Sequence, residues 1–186
     1  MNPTVLNPTD TRYPARLHER LGLSAPPTLT ALGNFALLSQ PKVRLFCSVR
    51  CPGDKILAAY DTARKLRDDG IAVISGFHSP VENECLRILL RGKQPIIICL
   101  ARSLEKIRIS ADWGKALEAG RLLLISPFQR RPRRPTVESS QQRNEFVAAL
   151  TDEVLIIYAE PGGSIERIIE SVERWDIPRR QTSAND

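Results

Sequence analysis

The sequence contains no Cys-x-x-Cys pair, and its 4 cysteines, at positions 47, 51, 85 and 99, follow no signal-like leader. That pattern argues against a disulfide framework or a zinc ribbon and for reduced thiols in a cytoplasmic protein. No apolar run approaches the roughly 18 residues that a membrane-spanning helix needs. Met1 to Arg12 is too polar for the apolar core of a secretion signal, so no membrane partner is expected. The P-loop pattern and the Gly-x-Gly-x-x-Gly fingerprint are both missing, which removes the usual routes to ATP hydrolysis and dinucleotide redox chemistry. With 2 histidines in the chain, Cys47 and Cys51 have no further spaced ligands, and no metal is assigned. No cofactor and no catalytic residue are expected.

What is present is enough material for one α/β unit. The 186 residues exceed a typical single domain and fall short of two, and 42% hydrophobic content supplies an apolar core without staples. Charge is segregated. Residues 40–135 hold 19 Lys/Arg against 9 Asp/Glu, whereas the last 51 residues hold 5 against 10. A folded domain would thereby gain a basic region able to attract a polyanion.

Five short apolar runs read as buried parallel strands: Val43 to Cys47, Ile71 to Ser75, Pro95 to Leu100, Leu122 to Ile125 and Val154 to Tyr158. Between the first two, Ile56, Ala59, Tyr60, Ala63 and Leu66 form one helical stripe that ends at Gly70. Val81, Cys85, Ile88 and Leu89 repeat the pattern, as do Ile165, Ile168, Ile169, Val172 and Trp175 after the fifth run. Alternating strands and helices predict a Rossmann-like α/β fold, an open three-layer sheet that is mainly parallel. Residues 1–13 lack periodicity and read as a tail, and Tyr13 to Leu38 as a short helix with a strand or turn. The expected organisation is an N-terminal tail and extension over 1–39, a Rossmann-like domain over 40–178, and a tail over 179–186. Gln129 to Pro135 reads QRRPRRP, and its prolines make it an exposed basic loop.

Open α/β sheets bind ligands beyond the carboxyl ends of their strands, where this chain is polar and small. Ser48, Val49 and Arg50 follow the first run, Ser75, Gly76, Phe77 and His78 close the second, and Gly162, Gly163 and Ser164 precede the last helix. Such residues let backbone N–H groups and a helix N-terminus approach a phosphate, or simply make tight turns and caps. Arg143 with Asn144, read as opening the helix before the fifth strand, would clamp a phosphate or sit as a solvated helix charge. The expected phosphate contacts are Ser48, Arg50, Lys55, Ser75, Gly76, His78, Arg143, Asn144, Gly162, Gly163 and Ser164, with Arg130 to Arg134 adding charge. Phe77 and Phe128 are candidates for stacking a base or for partial core burial.

The order of these segments resembles the DNA-processing protein A family, also called DprA or Smf. YPARL and PPTLTALGNFALL resemble its lead-in, VRLFCSVR its first strand and "VGSR" turn, and SGFHSPVENECL its second turn. QQRNEFVAALTDEVLIIYAE carries the family's "RN" at Arg143 and Asn144, and PGGSIERI occupies its last glycine-serine segment. The resemblance implies binding of single-stranded DNA by a Rossmann-like domain, delivery of the strand to a RecA-type recombinase in natural transformation, and no catalytic step. Ser48 and Arg50 match the first turn, and Ser75 and Gly76 the second. The chain departs from the pattern where Cys47 replaces the turn glycine and an extra residue separates Ser48 from Arg50. A second copy of the chain and a nucleotide ligand remain open as partners.

More distantly, PGG resembles the lonely-guy nucleotide phosphoribohydrolases. Ile169 stands where their glutamate should be, and Glu170 comes one residue late. One position rotates a helical side chain by about 100°, which disfavours hydrolysis by that route.

Overall fold

Strand order in the single eight-stranded sheet is set by which segments can be buried on both faces. The computed structural model describes residues 2–129 and 134–180. In chain order the elements are β1 (Thr4–Leu6), α1 (Arg16–Leu21), β2 (Leu29–Gly33), β3 (Val43–Cys47), α2 (Gly53–Asp68), β4 (Val73–Ser75) and α3 (Pro80–Leu90). They continue with β5 (Ile96–Cys99), α4 (Ala111–Glu118), β6 (Leu122–Ser126), α5 (Val137–Leu150), β7 (Glu153–Tyr158), α6 (Ser164–Arg174) and β8 (Arg179–Arg180). The sheet runs β1-β2-β6-β5-β4-β3-β7-β8. Pairing is parallel from β6 through β8, and β2 joins antiparallel to β6 and to β1.

All five expected runs are strands, and β3, β4, β5 and β6 are buried along their whole length, as parallel strands covered on both faces must be. Leu45, Val73, Ile96, Ile98, Leu122 and Leu124 face α2, α3 and α4. Ile74, Ile97, Leu123 and Ile125 face the other layer, where Leu17 of α1 and Phe146, Val147 and Leu150 of α5 pack. Ile165, Ile168 and Val172 of α6 close over Phe46 and Val154. The result is the three-layer α/β fold expected from the periodicity.

Two segments expected to be irregular are strands instead. Thr4–Leu6 pairs with Leu29–Ala31, and Leu6 is wholly buried. Arg179 and Arg180 pair with Val154 and Leu155, and Arg180 also meets Glu153 at 2.9 Å. Strands of two or three residues carry too little pattern to register as periodicity, and only the neighbouring strand supplies their hydrogen bonds.

Local chemistry fixes the helix starts near the carboxyl edge of the sheet. Ser79 caps α3 by accepting from the Glu82 amide at 3.1 Å, with Pro80 next in line. Thr136 and Ser139 make reciprocal bonds at the start of α5. At the opposite edge, Lys42 is 2% exposed and its Nζ lies 3.0 Å from Asp152, which also pairs with Arg16 at 2.6 Å. Burial opposes ionisation of Asp152, but the Arg16 hydrogen bond and the Lys42 charge outweigh it and hold the carboxyl below its ordinary value. This cluster ties α1 to the start of β3 and the turn between α5 and β7.

Candidate functional site

The chain winds from β3 outward through β4, β5 and β6 with α2, α3 and α4 on one face. It then returns through α5, on the opposite face, to place β7 on the far side of β3. The strand order therefore reverses between β3 and its two neighbours, and open sheets of this type leave a crevice at the carboxyl ends there. A cavity of about 370 Å³ lies at that point. Its lining includes Ser48 beyond β3, His78 and Ser79 beyond β4, Thr136 and Arg143 of the α5 segment, and Ser164 at the start of α6. The pairing of β3 with β7 shifts register between Phe46 and Cys47, an irregularity that turns the chain at the cavity's edge.

Two arginines form the floor. Arg44, on β3, is 1% exposed, and Arg143, on α5, is 3% exposed. Asn144 Oδ1 accepts from both, at 3.1 Å from Arg44 Nη2 and 2.9 Å from Arg143 Nε. Arg143 Nη1 donates to the Cys99 carbonyl at 3.3 Å. The Arg44 guanidinium lies 4.0 Å above the Phe46 ring, while its Nε and Nη1 have no hydrogen-bond partner among the described residues. Among the described residues neither guanidinium makes an ion pair. Burial pushes Arg44 down from its ordinary value to about 9, with the Glu82 charge working against that and the Arg143 charge adding to it. Glu82 also lines the cavity, and its carboxylate accepts from the His78 amide at 3.1 Å.

Backbone polarity adds to the side chains. The starts of α3, α5 and α6 all border the cavity, and helix N-termini carry partial positive charge. Gly163 caps α6 without a side-chain acceptor. Gly162, with φ of 72°, donates its amide to Glu166 at 2.8 Å, so one donor of that turn is already occupied.

Of the residues expected to contact phosphate, Ser48, His78, Arg143, Asn144 and Ser164 line this cavity. Arg143 and Asn144 do not open α5, which begins two turns earlier at Val137. That start comes from the Thr136 cap, which the basic loop hid from a periodicity argument. Ser75 and Gly76 lie behind the floor. Ser75 Oγ donates to the Leu45 carbonyl at 3.4 Å, and a Cβ on Gly76 would stand 1.6 Å from Arg143 Nη1. Arg50 and Lys55 lie outside the lining, Arg50 with its side chain 87% exposed and 3.6 Å from Glu160. Lys55 pairs with Asp54 at 3.6 Å. Gly162 and Gly163 are likewise outside the lining. Phe77 is buried in the core with φ of 47°, which removes it as a stacking platform, and Phe128 is half-buried. Within the basic loop Arg134 is exposed beside the lining residue Pro135, while Arg130 to Arg133 lie outside the described residues.

Arg44 is the residue that sequence reasoning missed. The available signal was one charge inside an otherwise apolar five-residue strand, VRLFC, whose neighbours Ile74 and Val154 are buried. A charge at such a position is costly unless something compensates it, and is therefore informative.

Cys47, Cys85 and Cys99 are buried free thiols and Cys51 is half-buried. Burial pushes Cys85 and Cys99 up to about 12. Among the described residues no three His, Cys, Asp or Glu side chains cluster to hold a metal ion, and no helix is long and apolar enough to cross a membrane.

Fold and site together define a Rossmann-like domain with a recessed cationic cavity at its strand-order reversal. The family model for DNA recombination-mediator protein A matches residues 4–173, and the chain belongs to that family. Among solved structures it is similar to DNA processing protein A from Helicobacter pylori, with TM-score 0.73 and 21% identity over 97% of this chain and 80% of that one. DNA processing protein A from Streptococcus pneumoniae gives TM-score 0.72 and 21% identity over 90% of this chain, which spans 60% of that protein. A molybdenum cofactor binding protein from Rippkaea orientalis shares the fold at TM-score 0.53 and 10% identity, covering 76% of each chain. No curated protein sequence is significantly similar to the chain.

Proposed function

We propose that this chain binds single-stranded DNA through its phosphates at the carboxyl edge of the sheet, as a DNA-processing protein. The observation that carries the reading is the Arg44–Arg143 pair, two buried guanidinium groups on the floor of the cavity that make no ion pair among the described residues. Buried cations that lack a carboxylate are stabilised by an anion arriving from outside. Membership of the recombination-mediator family supports the choice of anion, as does the H. pylori relative, whose structure is described in terms of its single-stranded DNA binding mode. Exposed Arg50, His78 and Arg134 would meet phosphates along the rim, and binding through the backbone carries no base specificity. Delivery of the strand to a RecA-type recombinase is the downstream role that this binding step would serve.

The hydrolase alternative loses its base. Glu170 is exposed on α6 and outside the cavity lining, and the carboxylate that does line the cavity belongs to α3. The test is titration of a labelled oligonucleotide at several salt concentrations. Affinity should fall with salt at a log–log slope of about −0.7 per phosphate neutralised, and Arg50→Ala should reduce that slope by about one phosphate's share. A failure to bind oligonucleotide at low salt refutes the proposal.

A further inference from the structure

The cavity is a recess, and its depth selects the form of phosphate that fits. Arg44 and Arg143 are buried, yet Arg44 Nε and Nη1 are without acceptors among the described residues and both residues line the cavity. An internal phosphodiester carries chain on two sides, so it offers such a recess an oxygen only while the strand lies along the rim. A phosphomonoester carries one substituent, so its phosphate can enter a recess while the rest of the molecule stays outside. It is also close to doubly charged at neutral pH, since the second ionisation of a phosphate ester falls near about 6.

The site is composed for that extra charge. Two guanidinium groups share the cavity lining with one carboxylate, Glu82, which sits in the first turn of α3 and is already engaged by the His78 amide. The N-terminal ends of α3, α5 and α6 border the same space, and all three helices are long enough to present a positive end. Asn144 bridges the two arginines through a single oxygen and holds them side by side, a spacing suited to two charge-assisted contacts on one phosphate.

We propose that the Arg44–Arg143 recess is a phosphomonoester pocket, which takes the terminal phosphate of a nucleotide or of a DNA strand in preference to an internal backbone phosphate. The inference deepens the DNA-binding reading for its strand-end form, and stands apart from it for a free mononucleotide.

The experiment uses the full chain and three oligonucleotides of one sequence bearing a 5′-phosphate, a 3′-phosphate or hydroxyls at both ends. Calorimetry with thymidine monophosphate and with thymidine runs alongside. One additional charge-assisted contact predicts binding about tenfold tighter for a phosphorylated end than for the hydroxyl strand. Thymidine monophosphate should bind where thymidine does not, with that binding lost in Arg44→Met. A phosphorylated-end preference that the mononucleotide does not displace supports the pocket with the strand end as its source. Mononucleotide binding without an end preference supports it with the free nucleotide as its source. Equal affinity for all three strands with no mononucleotide binding overturns the pocket and leaves the DNA reading standing. Mononucleotide binding without any oligonucleotide binding does the reverse, and an absence of both sinks the two together. Monophosphate binding or an end preference that survives intact in Arg44→Met also overturns the assignment to this recess.

Discussion

Replacing Arg44 by methionine should make the protein more stable. The guanidinium is enclosed on β3 with two nitrogens unpartnered among the described residues, and burial lowers it well below its ordinary value, to about 9. A drop of that size corresponds to about 5 kcal/mol of unfavourable free energy for the charged form in the folded chain. The sign follows from proton linkage. A base whose affinity for its proton is lower in the fold burdens the fold at every pH below about 9, and the burden eases only as pH rises through that value. Against this, Arg44→Met loses the contact over the Phe46 ring, about 1 to 2 kcal/mol. The hydrogen bond to Asn144 also goes, but Asn144 Oδ1 keeps Arg143 as its donor. Methionine fills similar space with a flexible apolar chain. The net expectation is a gain of about 1 to 4 kcal/mol, the range seen when buried charges give way to packed apolar groups. For a chain of this length that is about 2–4 °C in Tm for each kcal/mol. Urea denaturation of both proteins at neutral pH in phosphate-free buffer measures it. A variant less stable than the parent by more than about 1 kcal/mol would refute the argument, because Arg44 would then be holding the fold rather than waiting for an anion.

Gly76→Ala places a methyl group 1.6 Å from Arg143 Nη1. The guanidinium must swing toward the cavity and give up the Cys99 carbonyl, costing about 1–3 kcal/mol by thermal denaturation and weakening oligonucleotide affinity; parental values for both would show that the contact is slack. Asp152→Asn leaves Lys42 buried beside a neutral amide, and a loss of about 3 kcal/mol is expected by chemical denaturation at neutral pH. Because Asp152 is held below its ordinary value, its contribution is fully present above about pH 4 and disappears as pH falls further. The difference between parent and variant should therefore shrink in acid, and a constant difference across that window would rule out the ion pair as its source.

Much of the architecture can be read without coordinates because strand and helix periodicities are local properties. The stripe from Ile56 to Leu66 and the buried runs at Val43 and Pro95 announce a layered α/β domain by themselves. The small turns at Ser48, His78 and Ser164 likewise pointed to one sheet edge, and they do border one cavity. Edge strands β1 and β8 stayed hidden, since two or three residues hold no period and their partners lie far along the chain. Exposed cations drew attention at Arg50 and Lys55, which folding leaves outside the cavity beside Glu160 and Asp54.

Residue order alone determined the fold class and the sheet edge that carries the small polar turns, because both follow from alternating hydrophobicity and from the direction of parallel strands. Only folding decided which arginines matter. Arg44 and Arg143 lie 99 positions apart, and their shared Asn144, their lack of an ion pair among the described residues and their burial depend on how β3 and α5 pack across the point where the sheet reverses. Burial and electrostatic pairing are set by neighbours in space, and no local pattern encodes them.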